Sequence, residues 1–244
     1  MRLTSFFTII LITIISTYIN SKSEVITLDI DYNSGGSTMQ GFIAYDNSIS
    51  GKMPCVMIVH QWKGLGEYEK MRAVQLAELG YFAMAVDIYG KGIRPATPEA
   101  ASQEAGKYYG DVSLFRERLK SGLDEMLKQP QADPARAAAI GYCFGGSGVI
   151  ELARSGADIE GIVSFHGGLR PSGSEANSNI KASLLVLHGA DDPALPRELA
   201  VDAHRRDLHP SLHPRLHRGA RRAGPDAQRD DARRDGARRR DPRR

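Results

Sequence analysis

Ala139-Ile140-Gly141-Tyr142-Cys143-Phe144-Gly145-Gly146-Ser147-Gly148 is the stretch whose reading decides the fold. The apolar run Ala137 to Ile140 leads into it and a helix-compatible segment follows at once, which predicts a strand that turns sharply into a helix with Cys143 at the apex. A nucleophile in so tight a turn needs small residues two places before and after it, because a Cβ there would collide with the strand or the helix. Gly141 and Gly145 meet that demand. The N-terminus of the following helix carries partial positive charge, which favours a thiolate at the apex. The same ten residues also read as a buried cysteine beside a glycine-rich turn, so the neighbouring segments have to decide.

Working outward, the segments before this turn alternate between strand and helix. Cys55 to His60 is a continuous apolar run ending in a polar loop, the pattern of a strand buried on both faces of a parallel sheet. Glu69 to Leu79 reads as a helix closed by Gly80, and Tyr81 to Ile88 as a second buried strand. Lys91 to Gly110 reads as loop and short helix with Pro95 and Pro98 as breakers. In Asp111 to Lys128 the residues Phe115, Leu119, Leu123, Met126 and Leu127 fall on one helical face. Earlier still, Val25 to Ile30 and Met39 to Tyr45 flank the turn cluster Asn33-Ser34-Gly35-Gly36, which predicts an antiparallel hairpin. After the turn, Ile159 to Phe165 and Ser183 to Leu187 give two more strands. This βαβ alternation predicts an α/β fold with a mostly parallel, doubly wound sheet.

A chain of 244 residues suits one such domain. Its formal net charge of +3 conceals a split: residues 1 to 200 carry 18 Lys and Arg against 22 Asp and Glu, whereas residues 201 to 244 carry 14 Arg against 7 Asp. Residues 1–23 have the layout of a secretory signal, with Arg2, an apolar run from Phe6 to Ile15 and small residues Ser21 and Ser23, so export to the periplasm or medium is expected. The apolar run is short for a stable membrane span. The two cysteines, Cys55 and Cys143, sit in separate strand contexts and imply no disulfide framework; Cys55 reads as core. Metal ligands at regular spacing, a phosphate loop and a dinucleotide fingerprint are all missing, so no metal and no cofactor is expected.

The elbow Gly141-Tyr142-Cys143-Phe144-Gly145-Gly146 resembles that of the dienelactone hydrolase family of α/β-hydrolases, and the resemblance runs from about Ile43 to Pro196. It implies an α/β-hydrolase domain over residues 24–197 whose C-terminal part is missing, and a small-molecule ester or lactone as substrate. It also implies roles. Cys143 is the nucleophile, and Asp192, in His188-Gly189-Ala190-Asp191-Asp192-Pro193, matches the triad acid better than Asp191. The backbone N–H groups of Trp62 and Phe144 are the expected oxyanion donors. Gln61 stands where the family has a Glu that helps activate the thiol, and it cannot accept a proton. Lys91 falls where the family places a basic residue for a substrate carboxylate, although it also reads as a solvated loop lysine.

The family's triad His lies in a Gly-x-x-His context beyond the acid, and the sequence offers none. Downstream are only His204, His209, His213 and His217, in a segment free of aromatics, Ile, Lys and Glu. Residues 198–244 read as a disordered Arg-rich tail or, as the loss of Lys, Ile and aromatics beyond residue 200 favours, the product of a shifted reading frame near Arg197. His166 and His188 read as structural, and His60 as a candidate substitute base. A thiol of ordinary pKa, about 8.5, is only a few per cent ionised at neutral pH, so little turnover is expected. The competing class is a non-catalytic protein that binds anionic ligands through the tail; no nucleic acid is expected, and an intact domain is expected to be monomeric.

Overall fold

The computed structural model describes residues 24–169 and 177–189. The chain divides into two units, 1–208 and 209–244, and every described residue belongs to the first. The signal-like segment, Asp192 and the Arg-rich tail all lie outside the described residues.

Among the described residues seven strands form one sheet: β1 (Val25–Ser34), β2 (Ser37–Asp46), β3 (Met53–Val59), β4 (Phe82–Val86), β5 (Ala132–Tyr142), β6 (Gly161–Phe165) and β7 (Ser183–Leu187). Their order is β1-β2-β4-β3-β5-β6-β7. β1 and β2 are antiparallel to each other, as are β2 and β4, while the pairs from β4 through β7 are parallel. The expected antiparallel start on a parallel sheet is what forms. The hairpin strands run longer than expected, because only Gly35 and Gly36 turn the chain, at φ 51° and 77°. Positive φ at both central residues is the geometry that matches the twist of the flanking strands.

The described residues form four helices, α1 (Glu67–Glu78), α2 (Pro98–Gly110), α3 (Val112–Leu127) and α4 (Phe144–Arg154); α1, α3 and α4 pack on the sheet, and α2 packs against α3. Pro98 does not break α2 but opens it, with Thr97 Oγ1 accepting the Ala100 N–H at 3.2 Å. A first-turn proline loses no intrahelical bond and brings a helical φ already set. The sheet's two faces differ in bulk. On one, Ala44, Ala83 and Ala85 with Ile58 meet Ala73 and Ala77 of α1. On the other, Met57, Val59, Phe82, Met84 and Val86 pack with Phe115, Leu119 and Met126 of α3. Alternating side chains on β3 and β4 supply both sets, so each strand is buried on both faces. Cys55 belongs to this core, and burial pushes its thiol up to about 11.

Arg118 sits on the inner face of α3 and its guanidinium donates to Ser34 O and to Ser37 Oγ, tying that helix to the hairpin turn. β7 is the last strand among the described residues, with Leu185 48% and Leu187 44% exposed. No helix among the described residues is long and apolar enough to cross a membrane.

Candidate active site

Cys143 occupies the junction of β5 and α4 at φ 55°, ψ −112°, a conformation unfavourable for a residue with a Cβ. Such strain persists only where the surroundings enforce it, and here they are backbone. A Cβ on Gly141 would fall on the carbonyl of Gly145; one on Gly145 would fall on Val59 O and lie 2.7 Å from His60 O. The elbow is therefore closed against itself and pressed onto the end of β3. The Cys143 N–H donates to Phe165 O at 2.9 Å, so β6 braces it from the other side.

The exit of β6 is locked to the same helix. Gly146 and Gly167 touch backbone to backbone, at 2.8 Å from a Cβ on the first to Cα of the second. Ser164 Oγ donates to Gly146 O at 3.1 Å, and Gly168 N–H donates to Ser147 Oγ at 2.8 Å. A Cβ on Gly167 would lie 2.3 Å from Gly146 C, so the helix pressed against it demands glycine there.

The two expected oxyanion donors belong to segments that converge here. Phe144 N–H lies in the first turn of α4, where no intrahelical acceptor is available. Its ring is fully buried, 4.8 Å from Phe115, 5.2 Å from Tyr89 and 5.5 Å from Tyr109 by centroids. Trp62 lies in the loop between β3 and α1, and its carbonyl accepts from Tyr89 Oη at 2.9 Å. Gln61 precedes it: its N–H donates to Glu69 Oε1 at 3.4 Å, and Glu69, buried at the start of α1, also accepts the Gly66 N–H at 3.0 Å. Tyr89, Tyr109, Glu69 and Ser147 were not singled out by the sequence. Burial raises the pKa of both phenols, Tyr89 and Tyr109, and an ionised Cys143 would raise each further. The adjacent Tyr108-Tyr109 at the end of α2 was the only sequence signal for such an aromatic wall.

Two expectations look different in three dimensions. His60 is fully buried; its Nε2 takes the Ile88 N–H at 3.2 Å and its Nδ1 lies 2.6 Å from Gln61 O. Both nitrogens are engaged, and burial lowers its pKa to about 4, so it offers no lone pair to the thiol. Lys91 is 47% exposed and its ammonium pairs with Asp31 on β1. β1 lies four strand positions from β5, roughly 19 Å at ~4.8 Å per strand. The structure thus brings together Cys143, Phe144 and the Gln61–Trp62 loop, but not Lys91. Asp192 falls outside the described residues. Among the described residues there is no group of His, Cys, Asp and Glu that could hold a metal ion.

A mostly parallel sheet with helices on both faces and a strained strand-to-helix elbow, here with Cys143 at its apex, is the architecture of the α/β-hydrolase class. Within that class the chain belongs to the dienelactone hydrolase family, whose model matches residues 39–220. That match extends past Pro196, where the recognisable motifs end. A protein of Methylorubrum extorquens named as a carboxymethylenebutenolidase is 26% identical over 158 residues, covering 60% of this chain and 54% of that one. A Bradyrhizobium protein named 2-oxo-3-(5-oxofuran-2-ylidene)propanoate lactonase is 24% identical over 147 residues, 59% of this chain and 58% of its own length. The chain thus spans less than two thirds of these two relatives. Among solved structures, a dienelactone hydrolase-like promiscuous phosphotriesterase from metagenomic libraries is 38% identical, with a TM-score of 0.71 over 76% of this chain and 78% of that one. A dienelactone hydrolase from Klebsiella pneumoniae, 22% identical, shares the fold with a TM-score of 0.64 over 76% of this chain and 80% of that one.

Proposed function

We propose that this chain cleaves small carboxylic esters or lactones through a thioester on Cys143. The observation that supports it most directly is the enforced φ of 55° at Cys143, closed by Gly141 and Gly145, which lifts this side chain out of the strand at the head of α4. A structural cysteine has no need of that strain, and Cys55 shows the relaxed alternative in the core.

In the acylation step the Cys143 thiolate adds to the ester carbonyl, forming a C–S bond and moving the carbonyl pair onto oxygen. The N–H groups of Phe144 and Trp62 receive that oxyanion. Collapse breaks the C–O bond and expels the alcohol, or opens the ring of a lactone. Water then attacks the thioester and releases acid and thiol. Deacylation calls for a base held by Asp192, and the sequence beyond Asp192 contains no Gly-x-x-His. A thiolate adds to a carbonyl without a base, whereas water needs one, so acylation outruns deacylation in this chain.

Mixing the full chain with p-nitrophenyl acetate tests this. The expected trace is a burst of about one p-nitrophenolate per chain, an acetyl group found on Cys143 by mass spectrometry, and a slow phase after it. An equal burst from Cys143→Ala would overturn the assignment.

A further inference from the structure

A peptide unit is planar and trans, so the C=O of Gln61 and the N–H of Trp62 point in opposite directions and move together. Whatever grips the Gln61 carbonyl therefore aims the Trp62 N–H. Two groups grip it: the Gly64 N–H at 3.2 Å and Nδ1 of His60 at 2.6 Å. The tautomer of His60 follows by elimination. Ile88 N–H donates to Nε2, so Nε2 carries no hydrogen, and Nδ1–H must be the donor to Gln61 O. The ring has no freedom to turn away, being fully buried, stacked at 5.7 Å on Phe144 and met edge-on by Tyr89 at 4.7 Å. Its own carbonyl abuts Gly145, and Tyr89 Oη holds the next carbonyl along the loop, that of Trp62.

We infer that His60 is a positioning residue for the oxyanion site: through Nδ1–H it holds the Gln61 carbonyl and so aims the Trp62 N–H at the oxygen of an acyl group on Cys143. This rests on the thioester chemistry proposed above and assigns His60 no contact with substrate. His60 acts as a fixed donor from the side away from the reaction, in place of the proton acceptor its position suggested.

The test compares the full chain with His60→Asn, whose amide nitrogen reaches the place of Nδ1, and His60→Gln, whose amide oxygen reaches the place of Nε2. The probe is a trifluoromethyl ketone, to which a thiolate adds reversibly, forming a C–S bond and leaving the carbonyl pair on oxygen as a stable oxyanion; binding is read by fluorine NMR. His60→Asn keeps its affinity within about threefold, and His60→Gln loses about 100-fold, the scale of one lost oxyanion donor. Alkylation of Cys143 by iodoacetamide, which develops no oxyanion, proceeds at one rate in all three. Equal affinity of His60→Gln and the unaltered chain, or equal loss in both variants, overturns the inference. Failure of the unaltered chain to form any adduct instead removes the thioester reading beneath it. Should the variants not fold, long-range proton–nitrogen NMR of the unaltered chain decides, since a proton on Nε2 leaves His60 unable to donate to Gln61.

Discussion

Acidification isolates His60 from the rest of the molecule. Burial lowers its pKa from 6.5 in the unfolded chain to about 4 in the fold. The native state resists a proton that the unfolded state accepts, so stability is level above about pH 6.5, falls between about 6.5 and 4, and levels again below the folded value. Each pH unit in that window costs about 1.4 kcal/mol, and the whole window about 3 kcal/mol. That is a large share of a domain's total stability of about 5–15 kcal/mol. The structural cause is specific: a proton on Nε2 would have to face the Ile88 N–H that now donates to it at 3.2 Å. Urea unfolding at pH 7, 6, 5 and 4 measures the change, with His60→Asn as the reference that cannot titrate. Carboxylates protonate in both proteins, so the difference between the two curves belongs to His60. Two curves that stay parallel from pH 7 to pH 4 would refute the argument.

Three further outcomes follow from the packing around the glycines and the two cysteines. Gly145→Ala places a methyl against Val59 O and His60 O on a strand flanked on both sides by β4 and β5, and should cost at least about 1–3 kcal/mol. Gly106→Ala, inside α2 with nothing within 4 Å of its Cβ, should instead raise the thermal midpoint, by up to about 1 kcal/mol of stability; calorimetry that moved both variants the same way would contradict this. Native chain treated with iodoacetamide should gain one label, on Cys143, and a second on Cys55 only after unfolding, because Cys55 is buried and its thiol is pushed up to about 11; peptide mapping that found Cys55 labelled first would be decisive against it.

The sequence by itself determined the α/β class, the hairpin start, five of the seven described strands to within two residues at both ends, and the elbow at Cys143. These are local quantities: apolar runs, turn glycines and the steric demand of a tight turn are written in neighbouring residues. Helix α2 was underestimated because Pro98 reads alike as a breaker or as a first-turn residue, and Thr97 capping decides between them only once the backbone is placed. The site divides the same way. Gly141 and Gly145 announce themselves beside Cys143, but Gly167 is constrained by Gly146, a residue distant in sequence and adjacent across β5 and β6. His60 and Lys91 look alike in sequence, each a basic residue at the end of a strand facing the site. Tertiary structure separates them, sealing His60 between Phe144, Tyr89 and the Ile88 amide while sending Lys91 across to Asp31. Which partner a side chain meets depends on strand order and on which face it leaves, and neither is set until the sheet has closed around it.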